Sequence, residues 1–282
     1  MDASYIPMFV FLLVGACCNL PFFIRSVRDL CRTSAFTSMP AAPSALLTTA
    51  LAELSWVLPC LIQCALQAFN GDGPWSAARG GVGCDVMGFY SVFGSIAGMS
   101  STLWVAILTN YPRLATARVG YLVSVAIVLS AALFAALPWM GVGRFAYTGE
   151  GFCYWDFHDT ALAAVLLAAT LPMLVATLAL LARAAHRGGW PSQVDLYVMA
   201  ASFLSAWVLW VPACLIGLGG GAFPQYYMIS GGVMGHAQAL INPYVYGLRW
   251  RRSSLRIDGN KEIVLDSKTG MPTVTPATKD VV

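Results

Sequence analysis

"LINPYVYGLRWRR" (Leu240–Arg252) closes a long apolar run with an Asn-Pro pair and then turns abruptly basic. Proline removes a backbone donor and kinks a helix. A membrane helix tolerates this only where other polar groups satisfy the freed carbonyls. Asn242 is such a group, and Tyr246 follows about one turn later. The arginines at 249, 251 and 252 mark the point where the helix leaves the bilayer.

Composition agrees with a membrane setting. Of 282 residues, 58% are hydrophobic and only 10% are charged, against roughly 25% charge in soluble domains. A net charge of +3 is too small to suggest a nucleic-acid partner. The eight cysteines show no Cys-x-x-Cys or His-paired metal spacing. No basic stretch precedes the first apolar run, which therefore reads as an anchor and not a cleaved leader.

A spanning helix needs about 20 mostly apolar residues. Ile6–Ile24, Ala41–Phe69, Val86–Pro112, Val119–Gly143 and Thr160–Ala182 each qualify, and only Glu53 is charged among them. Leu196–Leu248 is long enough for two helices, with His236 its one ionisable group and "GLGGGAFPQ" (Gly217–Gln225) as the break. The expected architecture is all-α: a bundle of seven transmembrane helices over 6–248, after a short outer N-terminus (1–5). A juxtamembrane amphipathic eighth helix (249–257) and a disordered inner tail (258–282) follow.

Orientation follows from the cations. With the N-terminus outside, Arg25, Arg28, Arg32, Arg113, Arg118, Arg183, Arg187 and the arginines from 249 onward all face inward. Only Arg79 and Arg144 lie in outer loops. The expected location is the cell membrane, multi-pass, with an extracellular N-terminus and a cytoplasmic C-terminus.

Seven helices ending in "NPYVY" (Asn242–Tyr246) resemble the rhodopsin-like G-protein-coupled receptors, and motifs at several further places carry the likeness. "WVLWVP" (Trp207–Pro212) is similar to the helix 6 pattern, with Trp210 above a kink at Pro212. Pro172 matches the helix 5 proline. Cys84 and Cys153 stand where the family has a disulfide that pins the second outer loop. Glu53 replaces the helix 2 aspartate, and with Asn19 and Asn242 the resemblance implies a polar network there, or a sodium site. Pro243 and Tyr246 would complete the switch. "STLW" in helix 3, "GFCYW" in the loop and "QALINPYVYG" also have some likeness to cyclic-AMP-receptor-like proteins.

The pattern fails at the end of helix 3. "LTNYPRL" (Leu108–Leu114) puts Asn110 or Thr109 where the family has an arginine. The resemblance implies a heterotrimeric G protein as partner, meeting a face that includes Asn110, Arg113 and Arg249. It implies a small-molecule or lipid ligand in the outer half of the bundle, with Asp85, Met87, Tyr90, Trp210, Tyr226, Tyr227 and His236 as candidates. No cofactor is expected. Opsins need a last-helix lysine for a Schiff base, but His236 occupies that place and the first lysine is Lys261, which excludes covalent retinal.

The alternatives are a non-signalling protein derived from a receptor, or a transporter or channel. The latter needs a chain of intramembrane ionisable groups, and only Glu53 and His236 are available, on different helices. No membrane-embedded nucleophile–base pair or metal cluster points to an enzyme.

Overall fold

The computed structural model describes residues 6–32, 41–70, 82–114, 116–147, 153–156, 159–187, 192–208, 210–219, 225–243, 261–265 and 272–276, some within helices by backbone only. The helices are α1 (Ile6–Arg32), α2 (Ala41–Asn70), α3 (Val82–Asn110), α4 (Ala117–Ala135), α5 (Thr160–Arg187), α6 (Ser192–Trp207), α7 (Trp210–Leu218) and α8 (Gln225–Asn242). Among the described residues, six spans meet the length and hydropathy needed to cross a bilayer, and one of them, Ala201–Leu218, runs across both α6 and α7. With α8 the protein is a seven-helix membrane bundle.

Prolines set the ends and breaks. Pro112 biases Tyr111 away from helical geometry, so α3 stops at Asn110 and a short 3-10 turn, Pro112–Leu114, follows. Pro138 ends α4 earlier than the apolar run through Gly143 suggests: the helix finishes at Ala135, and Leu137–Met140 tightens into a 3-10 turn. Pro212 lacks an N–H, and its ring crowds the carbonyl four residues back, at Val208. The sixth span is interrupted there, between Trp207 and Trp210. Caps mark other starts. Asp159 Oδ1 accepts from the Ala161 and Leu162 amides (3.0 and 3.1 Å) at the head of α5, and Thr116 caps α4.

α3 is the central column. It packs against α2, α4 and α5 and against a two-stranded hairpin, and every residue from Ser91 to Met99 is buried. Lipid-facing helices instead leave Leu129, Leu133 and Val175 exposed. α8 packs on α1, α2 and α6. The hairpin joins β1 (Phe145–Tyr147) to β2 (Cys153–Trp155), antiparallel, with Phe145 opposite Trp155 and Tyr147 opposite Cys153. A disulfide between Cys84 and Cys153 fastens it to the first turn of α3. Arg144 Nε donates to Asp156 Oδ2 across its base (2.9 Å). Phe145 lies where any side chain at Gly88 would stand, so the strand rests directly on α3.

The polar tail departs from the sequence expectation of no regular structure. Lys261–Leu265 (β3) and Pro272–Pro276 (β4) pair antiparallel, with Ile263 opposite Val274. β-Branched residues on both strands favour such pairing. The amphipathic segment 249–257, Arg249, Tyr246 and the N-terminal residues 1–5 lie outside the described residues.

Two glycines on one face of α3 offer a test of the packing. A Cβ at Gly94 would fall 2.7 Å from Trp56 Cβ and 2.9 Å from the Ala52 carbonyl, whereas one at Gly98 meets nothing within 4 Å. Gly94→Ala is expected to destabilise the bundle by about 1–3 kcal/mol through overpacking. Gly98→Ala is expected to be neutral or to stabilise it by about 0.5–1 kcal/mol, the usual helix gain over glycine. Thermal unfolding of the purified variants separates the two.

Candidate functional site: a polar tie beneath an aromatic cavity

Five consecutive residues of α8, Gln238–Asn242, hold that helix to three others. Asn242 Nδ2 donates to Glu53 Oε1 of α2 (2.9 Å). Gln238 Nε2 donates to Thr102 Oγ1 of α3 (3.2 Å). Asn19 Nδ2 of α1 donates to the Ala239 carbonyl and to Gly15 of its own helix. The periodicity explains the convergence: Gln238 and Asn242 are one turn apart on one face, and Pro243 follows directly. Glu53 is 3% exposed, and its Oε2 has no hydrogen-bond partner. A half-satisfied carboxyl at this depth is costly in a bilayer.

One turn nearer the disulfide end, Trp56 of α2 sits over the tie. Its ring lies 4.5 Å from that of His236, centroid to centroid, and 6.3 Å from that of Trp207. Gly94 and Gly235 leave the room it occupies. Trp207 and Trp210 then line a small cavity between α3, α5, the α6–α7 break and the hairpin, with Met99, Thr170, Leu174 and Tyr154. Tyr154 stacks on Trp210, 5.3 Å between centroids. Burial pushes its phenol above the usual value, opposed by a hydrogen bond with Ser95. The cavity, about 10 Å³, holds roughly one water. A larger guest must displace a lining side chain.

The sequence candidates divide. Trp210 lines this cavity, and His236, 2% exposed, packs on Trp56 below it. Met87 packs against the disulfide. Asp85 is half-buried in the first turn of α3. Tyr90 is 42% exposed and stands edge-on to Phe89, away from the cavity lining. Tyr226 and Tyr227 belong to α8, but their side chains lie outside the described residues. Pro212 is exposed at the start of α7. Trp56, Trp207, Tyr154 and Gln238 were not among the sequence candidates. Spacing could have found two of them, since Trp56 follows Glu53 by three residues and Gln238 precedes Asn242 by four.

At the opposite end of α3, Asn110 Nδ2 donates to Ala106 O (2.9 Å) and, across to α5, to Leu180 O (2.8 Å). The next residue, Tyr111, accepts from Arg183 Nη1 of α5 (3.2 Å), whose guanidinium also lies 5.6 Å from the ring centroid. Arg113 is exposed in the 3-10 turn.

No protein family's profile and no curated protein matches the chain. Among solved structures, squid rhodopsin superposes on it with a TM-score of 0.65, covering 95% of this chain and 90% of that one at 14% identity. At that identity the likeness is one of fold: this is a rhodopsin-like seven-helix bundle.

A double-mutant cycle on Glu53→Leu and Asn242→Leu, read by unfolding in micelles, is expected to give a coupling of about 0.6–1.7 kcal/mol, the span found for hydrogen bonds between membrane helices. Additive losses would mean that the pair does not interact.

Proposed function

We propose that this chain is a cell-surface receptor of the rhodopsin-like kind, with its N-terminus outside, that binds a small or lipid-like ligand and signals to a heterotrimeric G protein. The observation that carries the reading is the bond from Asn242 to Glu53. A buried carboxyl kept with one oxygen unfilled is expensive as a structural strut, whereas a switch needs a group that can exchange partners. Supporting it are the fold shared with squid rhodopsin and the disulfide-pinned hairpin over the aromatic cavity. The excess of arginines on the Asn110 end also supports an inward-facing signalling surface.

Glu53 Oε2, which lacks a protein partner, fits an ordered water or a sodium ion, for which Glu53 would be the anionic ligand. Covalent retinal is not part of this reading, because the first lysine is Lys261. The ligand would enter from the hairpin end and move Trp210 or Trp207, whose packing on Trp56 leads down to α8.

A second reading, a receptor-derived protein that no longer signals, draws on Asn110. This side chain ties α3 to α5 where the family carries an arginine.

Nucleotide exchange on a reconstituted panel of Gα subtypes separates the two. Under the receptor reading the wild type turns over at least one subtype, and Asn242→Ala shifts that rate about fivefold or more, the usual scale of coupling between sites. A wild type silent on every subtype, with exchange restored by Asn110→Arg, would establish the non-signalling reading instead.

A further inference from the structure

Among the buried polar side chains that belong to neither the tie nor the cavity, two lie at one helix interface. Gln63 of α2 is 1% exposed, and neither its Nε2 nor its Oε1 has a hydrogen-bond partner. Ser91 of α3 is 2% exposed, and beyond a weak contact with the Cys60 thiol its hydroxyl has no partner. The two lie at the disulfide end of the α2–α3 interface. Ser91 stands beside the Cys60 thiol, and Cys60 and Gln63 are one turn apart on the same face of α2.

A primary amide has two donor hydrogens and an acceptor oxygen, all of which go unfilled here. Away from water, that is among the costlier ways to fill a helix interface, and leucine of similar bulk would pack without the penalty. Such groups in a native interior call for a specific explanation, and one is a partner that arrives from outside.

We infer that Gln63 and Ser91 form the polar end of the ligand site and select a neutral head group that donates and accepts at once, a carboxamide or an equivalent carbonyl–NH pair. The inference rests on the receptor reading and names the ligand chemistry for it. Charge offers no competing match among the described residues. Glu53 is ten residues away on the same helix and bound to Asn242. His236 lies against Trp56. Asp85 is six residues before Ser91, partly exposed in the first turn of α3. None of them pairs with Gln63 or Ser91, so no counter-ion stands where a cationic or anionic head would sit. The apolar body of the ligand has a direction to follow. Trp56 lies seven residues before Gln63, about 10 Å along the helix axis, and stacks on Trp207 at the wall of the aromatic cavity.

The test uses the full chain in lipid nanodiscs and three probes with one six-carbon skeleton: hexanamide, hexylammonium and hexanoate. Hexanamide is expected to raise the melting temperature of the wild type saturably, by about 2 °C or more, while the two charged probes leave it unchanged. Gln63→Leu is expected to melt higher than the wild type without any probe, and to lose the hexanamide shift. The inference is overturned if Gln63→Leu melts lower, if the amide shift survives in that variant, if the three probes act alike, or if none acts. These readings need no G protein. A specific amide shift with silent nucleotide exchange would keep the site and discard signalling, and active exchange without the shift would do the reverse.

Discussion

The hydrogen bond from Asn242 to Glu53 is the constraint around which the bundle is arranged. It joins the last helix to the second in a medium that offers no water to replace it. Within one turn, Gln238 reaches α3 and the Ala239 carbonyl receives Asn19 from α1. A helix that lies between neighbours of equal greasiness has no hydrophobic reason to choose one register. Polar partners at fixed positions supply it. Pro243, directly after Asn242, has no N–H to give to the carbonyl one turn back, so the same site both fixes the helix and weakens it.

The rest of the interior follows from making room for that contact and closing over it. Gly94 and Gly235 let Trp56 stand between three helices, and Trp56 links the tie to Trp207 and the aromatic cavity. The break that Pro212 forces between Trp207 and Trp210 turns both indoles toward that cavity. Above it, the disulfide and the Arg144–Asp156 pair hold the hairpin on α3. A path of packed rings therefore runs from the hairpin to the polar tie.

Much of this was legible in the sequence because the bilayer reduces the alternatives. Apolar runs of spanning length, separated by glycine, proline and arginine, place the starts of α1 to α6 within about four residues, whereas α1 runs on past Ile24 to Arg32 and α4 stops short of Gly143 at Ala135. The disulfide, by contrast, came from the resemblance, since eight cysteines without metal spacing leave the pairing open. Hydropathy misplaces the end of α4, where the apolar run continues past Pro138 after the helix has ended. Side-chain partners were the hardest to read. Composition marks Glu53 as costly but cannot say that Asn242 bonds it while Asn19 bonds a backbone carbonyl instead. Trp56 and Trp207 were passed over because an aromatic residue in an apolar helix looks the same whether it faces lipid or the core. Tyr90 lies on α3 in the outer half of the bundle, and helix phase turns it outward.

At the far end of α3, Asn110 and Tyr111 bind α5 through uncharged contacts and one arginine that α5 supplies. If the polar tie governs the stance of the helices, loosening it must be felt at this end, where α6 packs between α5 and α8. Pulsed electron spin resonance reads that directly, with spin labels carried by non-canonical amino acids at Thr109 of α3 and Ala201 of α6, both exposed. The account predicts one narrow distance distribution in the wild type and a longer, broader one in Asn242→Ala. Identical distributions in the two proteins would show that the tie is a local strut, and would contradict its role as the switch.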